Sequence, residues 1–302
     1  MRQQIDQMLH RCGGAASRGQ LLEAVGRSGL DQEIRNGHLV AVFPRVYSRP
    51  WLSGDRHTVE VAAIRSSGPP SLLSHTSALG RFGLDPHALA DAVHITTLAC
   101  RHPRGVPGRL VVHRVSRLPA RCLTTGLPTV DLATAIVQSW PLRSGPDRRG
   151  PVIAAVRDGR TDTGAVRGRL LEGPRRAGRA ELADLLTLLD AGCESPLEIW
   201  GYREVFTIGP LRRGRRQFQV VVGGRRFRID LAFEEEKVAV ELDGRGYHSS
   251  DRTWERDINR DLTLATAGWL TVRLSHRRLT SDVDGCRRDV IRVLESRQGG
   301  RV

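Results

Sequence analysis

Lysine is almost missing from this 302-residue chain, in which Lys237 stands alone beside 46 arginines. So complete a skew reads as a coding bias as much as a demand for guanidinium chemistry, so arginine richness by itself is not counted as function. Aromatic residues number only 14 and form no ladder for stacking unpaired bases, which ranks a single-stranded RNA substrate below duplex DNA. The five cysteines, Cys12, Cys100, Cys122, Cys193 and Cys286, are odd in number and contain no Cys-x-x-Cys pair, which argues against a disulfide scaffold or a zinc knuckle. No apolar run approaches the roughly 18 residues of a membrane span, and the first residues lack an apolar signal core. The expectation is a chain without membrane segments in a reducing cytoplasm. There is no internal repeat.

What the chain has in excess is positive charge. Its formal net charge is +14, from 47 basic and 33 acidic residues. From residue 193 onward there are 21 basic and 17 acidic residues, so most of the excess lies in the first 192. Exchanging lysine for arginine leaves charge untouched, so the balance still points to a polyanionic partner, DNA first.

Residues 1–50 read as short helices followed by a hairpin. Ile5, Met8 and Leu9 give an apolar side to a first helix broken at Gly13-Gly14. Ser17 caps a second, carrying Leu21, Leu22 and Val25, and Asp31 caps a third that stops at Asn36-Gly37. His38 to Tyr47 then alternates as a small wing. This is the order of a winged helix-turn-helix, in which one helix enters the major groove and the wing touches phosphate. A three-helix protein-contact domain has the same pattern. In Gly13 to Leu22, Ile34 to Leu39 and Arg45-Val46-Tyr47 the segment resembles the N-terminal domain of AbiEi-type antitoxins, which implies a toxin or other defence-system partner.

Residues 51–140 read as a middle α/β unit: helices at Thr58 to Ser66 and Ser71 to Leu84, strands at Val93 to Leu98 and Leu110 to Val115, and a helix from Val130. It is similar, more loosely, to the middle of AbiEi-like proteins. His75 and Ser77 are read as packing or capping residues. Residues 141–180, rich in Pro, Gly and Arg, read as helices and a solvated linker.

From Ala180 the pattern is helix, hairpin, strand, helix, strand, helix, over residues 181–298. Leu182, Leu185, Leu186 and Leu189 make one helix stripe, and Ser195-Pro-Leu-Glu198 reads as a capping box. Glu198 is assigned either to that cap or to a metal site. Gly223-Gly224 joins two strands as a tight hairpin. In the second of these, Arg228 and Asp230 fall opposite Phe227, Ile229, Leu231 and Phe233, and in the next strand Glu241 and Asp243 share a face. Clustered carboxylates are tolerable only with a cation between them or a proton on one of them, and few hard oxygen donors with room for water suit Mg²⁺ or Mn²⁺. Trp254, Ile258, Leu262 and Ala265 stripe the helix that follows, and Glu234 to Glu236 read as a solvated turn.

Asp230, Val-Glu241-Leu-Asp243-Gly244, Tyr247-His248, Arg256-Asp257, Arg260-Asp261, Ala267-Gly268-Trp269 and Val272-Arg273-Leu274 resemble, in this order, an uncharacterised-domain family related to very-short-patch-repair endonucleases. The resemblance implies a restriction-endonuclease-like α/β/α core with a mixed sheet, of the PD-(D/E)xK group, in which acids at the positions of Asp230 and Glu241 hold the metal. Asp243 stands where that group has its water-orienting lysine, and Lys237 lies too far back to replace it. The repair enzymes also lack the lysine and use histidine, which nominates His248 as base. Their zinc cysteines are absent, Arg245 following Gly244.

The whole chain is thus expected to be a multidomain α/β protein with an N-terminal winged helix-turn-helix, a middle α/β unit and a C-terminal nuclease-like core. The expected chemistry is Mg²⁺-dependent phosphodiester hydrolysis of DNA. Asp230, Glu241, Asp243 and Glu198 are the metal ligands, and Arg256 or Arg260 is set against the phosphate, unless both pair with Asp257 and Asp261. The alternative is a DNA-binding regulator or antitoxin whose nuclease-like domain is inactive.

Overall fold

The computed structural model describes residues 1–174, 177–193, 195–243 and 251–298. It is a mixed α/β protein with three sheets, dividing into two compact units, Met1–Arg179 and Ala180–Val302. No helix among the described residues is long and apolar enough to cross a membrane.

The first unit begins with helix α1 (Arg2–Arg11), strand β1 (Ala15–Ser17), helix α2 (Arg18–Arg35) and the strands β2 (Val40–Phe43) and β3 (Val46–Ser48). The strands form an antiparallel sheet in the order β1-β3-β2. Ser17 caps α2 as expected. Its hydroxyl accepts from the Gln20 N–H at 3.3 Å while Gln20 Oε1 accepts from the Ser17 N–H at 3.0 Å, which satisfies two otherwise orphaned donors. The third helix starts after Gly26 rather than at Asp31: Gly26, with φ 70° and ψ 175°, a non-helical conformation open to glycine at little cost, divides Arg18–Arg35 into two helical halves. Asp31 lies inside the helix and accepts from Arg18 at 2.8 Å.

Arg49, just past β3, ties this region together. Its guanidinium is buried and reaches Glu33 at 3.1 Å and Asp6 at 2.7 Å. Burial pushes the Glu33 carboxyl up, but hydrogen bonds from Arg49 and His38 outweigh it and hold the group below its ordinary range.

Next come α3 (Arg56–Ser67), β4 (Ser71–Leu73), α4 (His75–Arg81), β5 (Val93–Leu98), β6 (Leu110–Val115), β7 (Arg121–Thr124), β8 (Leu127–Val130) and α5 (Leu132–Ser139). The single helix expected over Ser71 to Leu84 is instead a strand followed by a shorter helix. Ser71, Leu72 and Leu73 are buried at the centre of a five-stranded sheet, β6-β5-β4-β8-β7, where a strand uses its backbone groups on both edges. Although sequence reading separates residues 1–50 from the middle unit, one core runs across them, joining Ala15, Val42, Phe43 and Val46 to Val61, Leu73, Ile95 and Leu110.

Residues 141–180 are not merely a solvated face. They carry α6 (Gly145–Arg157) and α7 (Thr163–Glu172), with Val152, Ile153, Ala155, Val166 and Leu170 buried, and Arg143 bound to Asp85 at 2.7 Å and Asp91 at 2.5 Å.

The second unit comprises α8 (Arg179–Asp190), α9 (Pro196–Trp200), β9 (Arg215–Val222), β10 (Arg225–Phe233), β11 (Val238–Asp243), α10 (Asp251–Thr266), β12 (Leu270–Ser275), α11 (His276–Ser281) and α12 (Val283–Gln298). All four leucines of the α8 stripe are buried. Gly223 and Gly224 turn the β9–β10 hairpin with φ of 56° and 76°. The sheet is mixed, ordered β12-β11-β10-β9, with β11 parallel to β12 and the other pairs antiparallel. A parallel neighbour needs a crossover, and α10 supplies it.

One expectation fails here. Glu236 is not solvated; it is buried and accepts from Arg213 at 2.8 Å and Gln298 at 2.5 Å. On α10, Ile258 and Leu262 face outward, 39% and 61% exposed, while Leu264 is buried. The helix turns Arg260 and Asp261 toward the sheet because partners of opposite charge wait there.

Replacing Arg49 by Met leaves the buried Glu33 carboxylate only Arg2 and His38, and loss of one partner of a buried pair costs about 3 kcal/mol. Denaturant melts of the full chain are expected to show the first unit destabilised by that order; an unchanged midpoint would contradict the role given to Arg49.

Candidate functional site

Alternation along β10 and β11 places the central carboxylates. Leu231 pairs with Val240 and Ala232 with Ala239, so continuing the antiparallel register sets Asp230 beside Glu241. Beyond Leu231 the ladder between these strands ends, and the Asp230 side chain takes over: its Oδ2 accepts the Leu242 N–H at 2.9 Å. The Tyr202 hydroxyl donates to the Asp230 backbone carbonyl. Glu241 is buried on the face that α10 covers.

Glu198 comes from a different element. Ser195 Oγ accepts the Glu198 N–H at 3.2 Å, so the cap forms, yet the Glu198 carboxylate accepts from Gln217 Nε2 on β9 at 2.8 Å. The same Nε2 lies 3.5 Å from Asp230 Oδ1. Gln217 has φ of 47°, and the β9–β10 pairing skips its position, opposite Asp230, which lets its side chain lie between the two acids. Its Oε1 is buried without a hydrogen-bond partner. Sequence reading gave Gln217 no role, because nothing in a strand pattern announces a left-handed glutamine.

Glu241 has a counterion. Arg260 Nη2 donates to Glu241 Oε1 at 2.5 Å and to the Arg228 carbonyl at 2.5 Å. Asp257 and Asp261 do not take Arg256 or Arg260; they engage Arg273 of β12, at 3.7 Å and 3.0 Å. Arg273 sits in register with Glu241. Arg256 is exposed. Asp243 ends β11 on the Glu241 face, but its side chain, like the whole of His248, lies outside the described residues. Lys237 is far from this chemistry, its Nζ donating to the Ala267 carbonyl at 2.9 Å.

The electrostatics follow from this crowding. Burial, then the neighbouring Asp230 charge, raise the Glu241 pKa from 4.5 to about 8, against the opposing pull of Arg260 and Arg273. Burial, then Glu198, push the Cys193 thiol up to about 12. Tyr202 is raised for the same reasons, burial first.

Beside the acids, between α10 and the hairpin, lie two adjoining open grooves of about 410 and 570 Å³. Arg225, Arg226, Arg228, Arg256 and Arg260 line the smaller, with Asp230 in its wall; Arg225 and Arg256 continue into the larger, where Leu262 and Thr266 join them. The grooves are rich in arginine, with Asp257 and Glu255 interspersed, and Asp230 stands in the wall of the smaller.

Glu198, Asp230 and Glu241 offer hard oxygen, the donor type of Mg²⁺ or Mn²⁺ rather than of a nitrogen- or sulfur-seeking metal, but they are not drawn together around one point. The three carboxylates do not form a closed cage, because Gln217 separates Glu198 from Asp230 and Arg260 holds Glu241.

Residues 209–294, which contain the sheet and α10, match the family model REase_MTES_1575. The second unit carries a restriction-endonuclease-like domain. Families of that kind commonly use divalent metals. Over 249 residues the chain is 26% identical to two uncharacterized proteins of Mycobacterium tuberculosis, MT2308 of strain CDC 1551 / Oshkosh and Rv2248 of strain ATCC 25618 / H37Rv. The alignment covers 82% of this chain and 89% of each relative. The crystal structure of the RV2827C protein from Mycobacterium tuberculosis aligns at a TM-score of 0.39 and 17% identity, over 61% of this chain and 75% of that one.

The raised Glu241 pKa has a sign that can be checked without any nuclease assay. In metal-free protein the folded state holds a proton that the unfolded chain releases near pH 4.5, so stability present at low pH is lost as pH rises through about 8. Glu241→Gln keeps an acceptor for Arg260 and removes the titration. In EDTA its melting temperature is expected to match wild type near pH 5 and to exceed it at pH 9; the reverse order at pH 9 would show that the ion pair outweighs burial.

Proposed function

We propose that this protein is a metal-dependent DNA endonuclease, with the restriction-endonuclease-like domain as its cutting unit. The observation that carries the reading is the groove of arginines running from the hairpin and α10 to Asp230. Arginines so placed recognise phosphates by charge and bidentate hydrogen bonds, independent of base sequence. Asp230 and Glu241, with Glu198 and Asp243, would hold Mg²⁺ or Mn²⁺. When bound, such a cation supplies Lewis acidity at the scissile phosphate and neutralises the clustered carboxylates.

The chain's own residues do the rest. Arg256 and Arg228 bind backbone phosphates along the groove, and Arg260, once displaced from Glu241, offers its guanidinium to the charge that develops during hydrolysis. Gln217 orients Glu198 and Asp230 through one amide nitrogen. His248 is the proposed proton acceptor, by its place after β11.

The N-terminal segment fits delivery to DNA. Helix, strand, a helix kinked at Gly26 and a two-strand hairpin, with the sheet ordered β1-β3-β2, support a winged helix-turn-helix, with the half of α2 after Gly26 as the groove-reading helix. The charge surplus of the first 192 residues supports the same reading.

One observation favours a second reading. Arg260 already occupies Glu241, as in a domain that keeps its fold without its metal, and this suits a DNA-binding regulator or AbiEi-type antitoxin with a toxin or defence-system partner.

Supercoiled and linear DNA incubated with the full chain in Mg²⁺, Mn²⁺ or EDTA separates the two. The endonuclease reading expects nicking or cutting in either metal, none in EDTA, and a loss of at least about 10²-fold in Asp230→Asn/Glu241→Gln. DNA bound but left intact in every metal would hand the lead to the regulator.

A further inference from the structure

Three histidines converge in the first unit, far apart in sequence and joined by no motif. β5 and β6 are parallel, with Thr96 in register with His113, so His94 and His113 project on one face as diagonal neighbours. His75 arrives from the end of β4, where the Ser74 N–H donates to the His94 carbonyl at 3.0 Å. It adopts φ of 52°, a left-handed conformation that costs a non-glycine residue roughly 1 kcal/mol. That turn lays its buried ring on His113, stacked at a centroid distance of 3.6 Å and 5.5 Å from His94.

Several observations together call for more than packing. His94 Nδ1 and His113 Nε2 stand 2.9 Å apart, so in the metal-free protein one proton lies between two lone pairs aimed at each other. Each of the three rings offers a nitrogen within 4.8 Å of the other two, and among the described residues no other trio of His, Cys, Asp or Glu is so gathered. Ser74 Oγ lies 3.0 Å from His75 Nδ1, the outer hydrogen bond that fixes ring orientation in histidine metal sites and assigns coordination to Nε2. Thr76 Oγ1 and Thr96 Oγ1, adjacent in sequence or register, are buried without hydrogen-bond partners.

We propose that His75, His94 and His113 form a binding site for a borderline transition-metal ion of the Zn²⁺ type, with the fourth position open. Zinc takes imidazole nitrogen at about 2.0–2.1 Å in tetrahedral geometry, which sets ligand nitrogens roughly 3.3 Å apart, so closing the site requires the His75 ring to swing off its stack on His113 and the His94 and His113 nitrogens to part slightly. The metal replaces the proton held between His94 and His113. His94 and His113 are only half-buried, so the open position reaches solvent, as in catalytic rather than structural zinc sites. Mg²⁺, which prefers oxygen, is not the ion expected here.

The test uses the full chain without a histidine tag, stripped with EDTA and dialysed against micromolar Zn²⁺ or Co²⁺. Wild type is expected to retain one equivalent that Asp230→Asn/Glu241→Gln also retains, and to give the visible absorption of tetrahedral Co²⁺. His94→Asn/His113→Asn, folded by circular dichroism, is expected to bind at least about 10²-fold more weakly. His113→Cys is expected to keep cobalt and to add a thiolate-to-metal charge-transfer band, which loss of folding cannot produce. No retained metal and no cobalt spectrum in wild type, or an unchanged equivalent in His94→Asn/His113→Asn, would overturn the site.

Discussion

Glu241 is buried beside Asp230 on the neighbouring strand, and every other feature of the second unit's site answers that repulsion. A proton, a guanidinium or a divalent cation can relieve it, and the fold holds the first two ready. The Glu241 pKa rises to about 8, and Arg260 reaches across from α10 to bind the carboxylate. Because α10 must present Arg260 inward, it turns Ile258 and Leu262 outward, and its aspartates are left for Arg273. A charged helix face packed on a sheet is a poor use of burial energy, which makes it evidence of a site rather than of packing.

The same logic explains Gln217. A glutamine in the left-handed region interrupts a hairpin ladder at a cost in backbone energy. What it secures is one amide donor between Glu198 and Asp230, with its oxygen left buried without a hydrogen-bond partner. The arginines beyond them give the region opposite charge at short range, cations in the groove and Asp230 in its wall.

Much of this was legible from alternation alone. The period of two in Arg225 to Phe233 and in Val238 to Asp243 predicted both strands and their shared acidic face, and Gly223-Gly224 fixed the turn between them. Sequence also marked Ser17 as a cap, since a side chain that bonds its own backbone three residues on is a local signal. What it missed is non-local. Ser71 to Leu73 read as helix because a short apolar run has no period of its own, and only neighbours on both sides make it a central strand. The stripe on α10 carried no direction, because the pattern cannot tell which side of an amphipathic helix meets ion partners. His75, read as packing or capping, is buried and stacked as that reading has it, but its meeting with His94 and His113 depends on a parallel strand pair that no local motif encodes.

If Glu241 is a ligand to a divalent cation, as proposed, Arg260 holds that cation's place in the metal-free protein. Mn²⁺ affinity, measured by calorimetry on wild type, Arg260→Ala and Arg260→Ala/Glu241→Gln, tests it most directly. The account predicts tighter binding in Arg260→Ala than in wild type, by about tenfold for each 1.4 kcal/mol of competition removed, and loss of that gain when Glu241 is also replaced. Equal affinities in all three proteins would contradict it and leave the carboxylates as partners of arginine alone.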